Sequence, residues 1–214
     1  MQQKGNAMSS RKDHWENIYK TKDHTEVSWY QESPKISLEL LSEIHAQPSH
    51  SVIDVGCGAS LLVDNLLTLG YKDITLLDLS ASALSLIKNR LSDNSDIPEY
   101  LSADITKIEF NKAFDIWHDR AVFHFLTDTQ DRLSYMTTLE KYLTRSGRAI
   151  IGAFSFNGPE KCSGLNIVQY DGEKMESVLP QNLELVETVT DTHVMPNGST
   201  QEFMYFIIKH KDIQ

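Results

Sequence analysis

The feature that most constrains this chain is the run Val52-Ile53-Asp54-Val55-Gly56-Cys57-Gly58-Ala59-Ser60. A short apolar strand enters a turn with two glycines, and Leu62 and Leu66 then repeat with helical spacing. Glycines allow positive φ and let the backbone approach a ligand closely. The N-terminus of the following helix offers unpaired N–H groups and the positive end of its dipole. Gly56, Cys57 and Gly58 are therefore candidate ligand contacts, with Asp54 beside them. A carboxylate-bearing ligand tail fits such a turn as well as a phosphate does.

Two more acids extend the pattern. Asp78 follows the apolar run Ile74–Leu77, 20 residues after Gly58 (78 − 58), the spacing at which an acid bonds ribose hydroxyls. Asp104 closes a third strand-like run at Glu99–Ser102, where it can accept from an exocyclic amino group. In an open parallel sheet these carboxyl ends line one crevice. Dinucleotide sites favour G-x-G-x-x-G, and here Leu61 stands at the third glycine position.

Short apolar runs alternate with amphipathic stretches along the chain, which predicts an α/β fold with a parallel sheet. Helices are expected at Arg11–Lys20, after a Ser33 cap with Pro34 in the first turn, after Gly58 with Leu62, Leu66 and Leu69 inward, after a Ser80 cap, after an Asp128 cap with Leu133, Met136, Leu139 and Leu143 inward, and near Asp171–Leu179. A fourth strand is expected at Phe114–His118 and a fifth at Arg148–Phe154. The ending differs. Leu183–Val194 and Gln201–Lys209 flank Pro196-Asn197-Gly198, a hairpin signal. The expected architecture is a three-layer αβα, Rossmann-like fold whose seven-stranded, mostly parallel sheet ends in an antiparallel C-terminal hairpin. Residues 1–10 are expected as a flexible tail, 11–48 as a helical cap and 49–214 as the main domain.

Composition narrows the function classes. The chain has 214 residues and a formal net charge of −10, which disfavours polyanionic partners such as nucleic acid or anionic lipid. Its apolar runs are too short for a transmembrane helix, and its start has no signal-peptide h-region. Cys57 and Cys162 form neither a disulfide framework nor a metal motif, and a reducing cytoplasm is the expected setting. No metal site is expected: the spacing of His118 and His124 suits no common ligand motif.

Taken together, Asp54-Val-Gly-Cys-Gly58, Asp78, Asp104, Phe114-Asp-Ile-Trp-His-Asp119 and the terminal hairpin resemble the class I S-adenosylmethionine-dependent methyltransferases. The resemblance implies S-adenosylmethionine as cofactor. It places Gly56, Cys57 and Gly58 against the methionine moiety, Asp78 with Leu79 at the ribose, and Asp104 with the Ile105 backbone at the adenine. Asp54 is expected in the ligand site directly or through water. Trp15, Tyr19, Trp29 and Tyr30 form either an aromatic lid over the sulfonium or a packing layer that docks the N-terminal helices.

The acceptor end is expected after the fourth strand. Asp119, His124 and His118 are the candidates to orient a nucleophile or take its proton. The competing reading pairs Asp119 with Arg120 and packs His124 between Phe123 and Phe125. The N-terminal aromatics and Gly70-Tyr-Lys-Asp-Ile-Thr-Leu-Leu-Asp-Leu-Ser80 are similar to protein-lysine methyltransferases of the elongation-factor-modifying type. Those carry Asp-Lys-Gly-Thr where this chain has Asp119-Arg-Ala-Val. The acceptor is accordingly expected to be a small molecule, with a protein lysine or amine as the alternative. The readings from other classes are a nicotinamide-dependent oxidoreductase and a non-catalytic S-adenosylmethionine-binding protein. Asn157–Gly164 reads as a long flexible loop at the ligand face carrying Cys162 as a plain thiol.

Overall fold

The computed structural model describes residues 2–212, with side chains from Arg11 onward. Met1 of the expected tail and the last two residues of the expected 49–214 domain lie outside the described residues. Helix α1 (Gln2–Thr21) begins well before the expected Arg11.

The remaining elements are α2 (Lys35–Glu43), β1 (Val52–Val55), α3 (Leu62–Thr68), β2 (Ile74–Asp78), α4 (Ala81–Leu91), β3 (Glu99–Ser102), β4 (Phe114–Arg120), α5 (Thr129–Tyr142), β5 (Leu143–Phe154), β6 (Lys161–Cys162), β7 (Leu165–Asn166), α6 (Gly172–Glu176), β8 (Leu183–Val194) and β9 (Thr200–His210). Seven strands form one sheet in the order β3-β2-β1-β4-β5-β9-β8. Strands β1 to β5 pair in parallel, and β9 runs antiparallel to both β5 and β8. Every residue of β1 and β2 is buried, as expected for central parallel strands covered on both faces.

The faces separate cleanly by strand alternation. Ile53, Val55, Leu77 and Trp117 pack with Tyr135, Met136 and Leu139 of α5 and Met175 of α6. Val52, Leu76 and Ile116 pack with Leu40 and Leu41 of α2, Leu62 and Leu66 of α3, and Leu84 and Ile87 of α4. These are the two helical layers of an αβα sandwich. Local chemistry starts the helices: the side chains of Ser80, Asp128 and Asp171 accept from the N–H groups of Ala83, Gln130 and Lys174, satisfying otherwise unpaired donors.

Several local expectations are corrected. Pro34, not Ser33, is the N-cap of α2, with no side-chain cap bond. Leu69 is 55% exposed because it terminates α3 as the C-cap, just before Gly70 turns the chain at φ +91°. Leu133 is 56% exposed. The buried stripe of α5 follows Tyr135, Leu139 and Tyr142, and a residue two positions earlier points about 200° away. Strand β4 continues two residues past His118 because both neighbours keep pairing, Val55 with Asp119 and Gly152 with Arg120. The expected loop at 157–164 contains β6, which pairs with β7 across a turn at Ser163 and Gly164 and leaves Cys162 buried.

Candidate active site

The crevice forms at the carboxyl ends of the parallel strands. Gly56 and Gly58 both have positive φ, +64° and +55°, and a Cβ at either would collide with a side chain, Val122 at Gly56 and the Tyr19 hydroxyl at Gly58. The Gly56 and Cys57 N–H groups donate to Leu77 O at 2.6 and 3.1 Å. Asp78 completes the clamp. Its Oδ2 accepts from Gly58 N–H at 2.9 Å and its Oδ1 from Ser80 N–H at 2.7 Å. Burial outweighs these bonds and raises its carboxyl to about 6. Each oxygen retains a further lone pair for a ligand hydroxyl.

Asp104 is arranged differently. Its Oδ1 accepts from the Thr106 N–H at 3.0 Å and hydroxyl at 2.8 Å, while its buried Oδ2 has no hydrogen-bond partner. Lys107 Nζ stands 4.0 Å away, beyond hydrogen-bond reach. An unsatisfied buried acceptor is costly, so this atom calls for a donor.

Two adjoining chambers occupy the crevice. The first includes Gly56, Asp78, Leu79, Asp104, Ile105, Trp15, Tyr19 and Trp29 in its walls. The second includes Asp54, Gly56, Cys57, Gly58, Tyr30, Ser37 and His118. Tyr19, Trp29, Gly56 and Arg120 border both.

Helix α1 roofs the crevice. Trp15 meets Trp29 and Phe125 edge-on at ring distances of 5.7 and 5.0 Å. Glu16 fastens the helix to α4: its carboxylate accepts from the Ser80 hydroxyl at 2.7 Å, the Ser82 hydroxyl at 2.6 Å and the Ser82 N–H at 3.3 Å. Hydrogen bonds from Ser82 and then Ser80 hold the Glu16 carboxyl down at about 2. The N-terminal aromatics are thus both packing layer and cavity wall.

Residues 53–151 match the family model described as a methyltransferase domain. Among curated proteins, the human eEF1A lysine and N-terminal methyltransferase is 27% identical over 142 residues, covering 64% of this chain and 20% of that protein. The mouse counterpart is 26% identical over 141 residues, with the same coverage. This chain thus spans about a fifth of those relatives. Among solved structures, a SAM-dependent methyltransferase from Anabaena variabilis superposes with a TM-score of 0.75 at 17% identity, covering 96% of this chain and 95% of that one. The 1,6-didemethyltoxoflavin-N1-methyltransferase of Burkholderia thailandensis, with 1,6-didemethyltoxoflavin and S-adenosylhomocysteine bound, gives a TM-score of 0.70 at 13% identity, covering 99% of this chain and 90% of that one. The fold is that of the S-adenosylmethionine-dependent methyltransferases.

Within this methyltransferase fold, every residue expected at the cofactor borders at least one chamber. The acceptor-end residues are split. His118 lines the second chamber, but both of its nitrogens are engaged: Nδ1 pairs with Asp54 Oδ1 at 2.7 Å and Nε2 with Ser37 Oγ at 2.9 Å. A carboxylate only accepts, so Nδ1 donates to Asp54. The resulting chain ties α2 to β1 and β4.

Asp119 and His124 are fully buried and stand outside the walls of both chambers. Asp119 Oδ2 accepts from the Tyr135 hydroxyl at 2.6 Å, and Oδ1 from Val122 and Phe123 N–H at 3.0 and 3.4 Å. Burial raises Asp119 to about 6. His124 lies against Phe154 and Phe125 at ring distances of 4.8 and 4.5 Å, and burial lowers it to about 3, which keeps it neutral. The alternative Asp119–Arg120 ion pair does not form, because both Asp119 oxygens face α5 and the following turn.

Sequence reasoning missed Glu16, Ser37 and Val122 as site-shaping residues and saw Arg120 only as a partner for Asp119. A guanidinium at the carboxyl end of a parallel strand was the available signal for Arg120. Glu16 and Ser37 gave none, because their partners come from elements distant in the chain. Burial raises Cys162 to about 12, so this thiol in the first chamber's wall is held protonated. Among the described residues, no cluster of three or more His, Cys, Asp or Glu could hold a metal, and no helix is long and apolar enough to cross a membrane.

Proposed function

We propose that this protein transfers a methyl group from S-adenosylmethionine to a small-molecule nucleophile. The observation that carries the reading is the unsatisfied buried Oδ2 of Asp104 in the same chamber wall as Asp78 and the glycine turn. An exocyclic amino donor satisfies the first, ribose hydroxyls suit the second, and an amino-acid tail suits the third. The cofactor supplies an electrophilic methyl on a cationic sulfur.

The chain's residues bind, orient and exclude water. Asp78 and Asp104 hold the nucleoside end, while the Gly56–Gly58 backbone lies along the tail. Trp15, Trp29 and Phe125 provide an apolar, aromatic wall that suits a reaction in which positive charge is dispersed. With His118 engaged and Asp119 and His124 outside the chambers, rate enhancement rests mainly on alignment. Such a site favours an acceptor that arrives already nucleophilic.

The roofed crevice supports a small acceptor. The curated eEF1A lysine and N-terminal methyltransferases favour the second reading, a protein amine. Calorimetric titration with S-adenosylmethionine, S-adenosylhomocysteine and NAD tests the cofactor. Binding of the first two but not NAD is expected, and absence of S-adenosylmethionine binding would sink the proposal. Release of S-adenosylhomocysteine with the small-molecule rather than the protein fraction of a lysate is the expected result for the acceptor.

A further inference from the structure

Arg120 ends β4 on the boundary between the two chambers. Its Nε donates to the Tyr205 hydroxyl at 3.1 Å and its Nη1 to the Trp29 carbonyl at 3.0 Å. The guanidinium carbon lies 4.7 Å from the Phe203 ring centre. All these partners are neutral, and no ion pair found among the described residues includes Arg120. Its remaining terminal nitrogen, Nη2, is buried with no partner at all.

A cation that is clamped, stacked and left with a terminal nitrogen unpartnered is poised for an anion. An arginine fork matches a carboxylate better than any other side chain does. Neighbouring strands indicate which ligand brings that carboxylate. Tyr205 and Phe203 belong to β9, which lies beyond β5 from β4, whereas the glycine turn, Asp78 and Asp104 follow β1, β2 and β3 on the other side. The guanidinium is therefore held on the half of the crevice away from the nucleoside-binding acids.

We propose that Arg120 is a specificity-determining residue that docks a carboxylate, or a comparable oxyanion, of the methyl acceptor. The acceptor class is a small apolar or aromatic acid, its ring against Trp15, Trp29 and Phe125 and its anionic group on Arg120. This inference rests on the methyltransferase reading proposed above.

The test uses the full chain saturated with S-adenosylhomocysteine. It is titrated calorimetrically with benzoate, phenylacetate and indole-3-acetate, and with their neutral amides, up to millimolar concentration. Saturable binding of at least one acid, with its amide much weaker, is the expected result. Arg120→Met should weaken that acid by roughly 10- to 100-fold, as loss of a charge-assisted hydrogen bond does, and Arg120→Lys should recover part of the loss. Each variant is also titrated with S-adenosylhomocysteine and with 5′-methylthioadenosine, which lacks the carboxylate tail. Unchanged affinity for both shows that the variant is folded and that the guanidinium serves the acceptor.

Equal binding of acids and amides, acid binding that survives in Arg120→Met, or no acid binding to wild type would overturn the proposal. So would loss of S-adenosylhomocysteine affinity with 5′-methylthioadenosine unaffected, since that assigns Arg120 to the cofactor's own carboxylate. Failure of wild type to bind either nucleoside would instead overturn the methyltransferase reading beneath it.

Discussion

Asp78→Asn separates two roles of one carboxylate. In the wild type, Asp78 accepts from two main-chain donors, Gly58 N–H and Ser80 N–H. An amide has a single oxygen, so one of these donors would face an NH2 group instead. Leaving a buried donor unpaired costs about 1–3 kcal/mol. The opposing effect is relief of a buried charge. Burial raises the Asp78 carboxyl from 3.8 to about 6, roughly two pH units, or ~3 kcal/mol at 1.36 kcal/mol per unit. An acid whose folded pKa lies above its unfolded value binds more protons when folded. Its contribution therefore becomes less favourable as pH rises from about 4 to about 6 and stays so above.

Subtracting the Asn variant from wild type cancels Asp119, which shifts the same way. The wild-type advantage in unfolding free energy should thus be about 1–3 kcal/mol near pH 4 and shrink to zero or reverse by pH 7. Urea denaturation of both proteins between pH 4 and pH 7.5 measures it. Calorimetry at pH 7.5 should show S-adenosylhomocysteine affinity reduced roughly 10- to 100-fold, the loss of a charged acceptor. A stability difference that does not change with pH would refute the buried-charge argument. Unaltered affinity would refute the assignment of Asp78 to the ribose.

Further substitutions probe the rest of the site. Glu16→Ala should release α1 from α4, lower the melting temperature and expose the N-terminal helix to limited proteolysis. Because Glu16 is held at about 2, its stabilising contribution is fully present above pH 4.5 and lost as pH falls toward 2, so wild type and variant should converge in acid. Gly56→Ala should abolish S-adenosylhomocysteine binding by collision with Val122, and adding Val122→Ala should relieve the collision while leaving a backbone penalty of about 1–2 kcal/mol at positive φ. His118→Ala should destabilise the chain by several kcal/mol, as loss of a buried hydrogen-bonded network does, seen as a lower denaturation midpoint. A variant with a native midpoint and low kcat would instead make His118 part of the chemistry. His124→Phe should leave the pH profile of turnover unchanged, since the imidazole is already neutral above about 3.

Much of the fold was legible because its signals are local. The run Val52–Val55, the glycine turn and the Ser80 and Asp128 caps each act within a few residues, and the alternation of strands and helices leaves few parallel topologies. The Pro196-Asn197-Gly198 turn announced the antiparallel ending in the same way. Cofactor-side candidates were legible for a related reason: in an open parallel sheet, position at the end of a strand dictates position at the crevice.

The acceptor side was decided by tertiary structure. Strand β4 ends where β1 and β5 stop pairing with it, and that pairing gave Arg120 to the crevice and Asp119 to Tyr135. Glu16 became a fastener through Ser80 and Ser82, 64 and 66 residues away. His118 was absorbed by Asp54 and Ser37 at separations of 64 and 81 residues. Sequence alone determined which residues could bind, because turns and strand ends are short-range physics. Only packing decided which polar groups were satisfied internally and which, like Asp104 Oδ2 and Arg120 Nη2, were left without a hydrogen-bond partner.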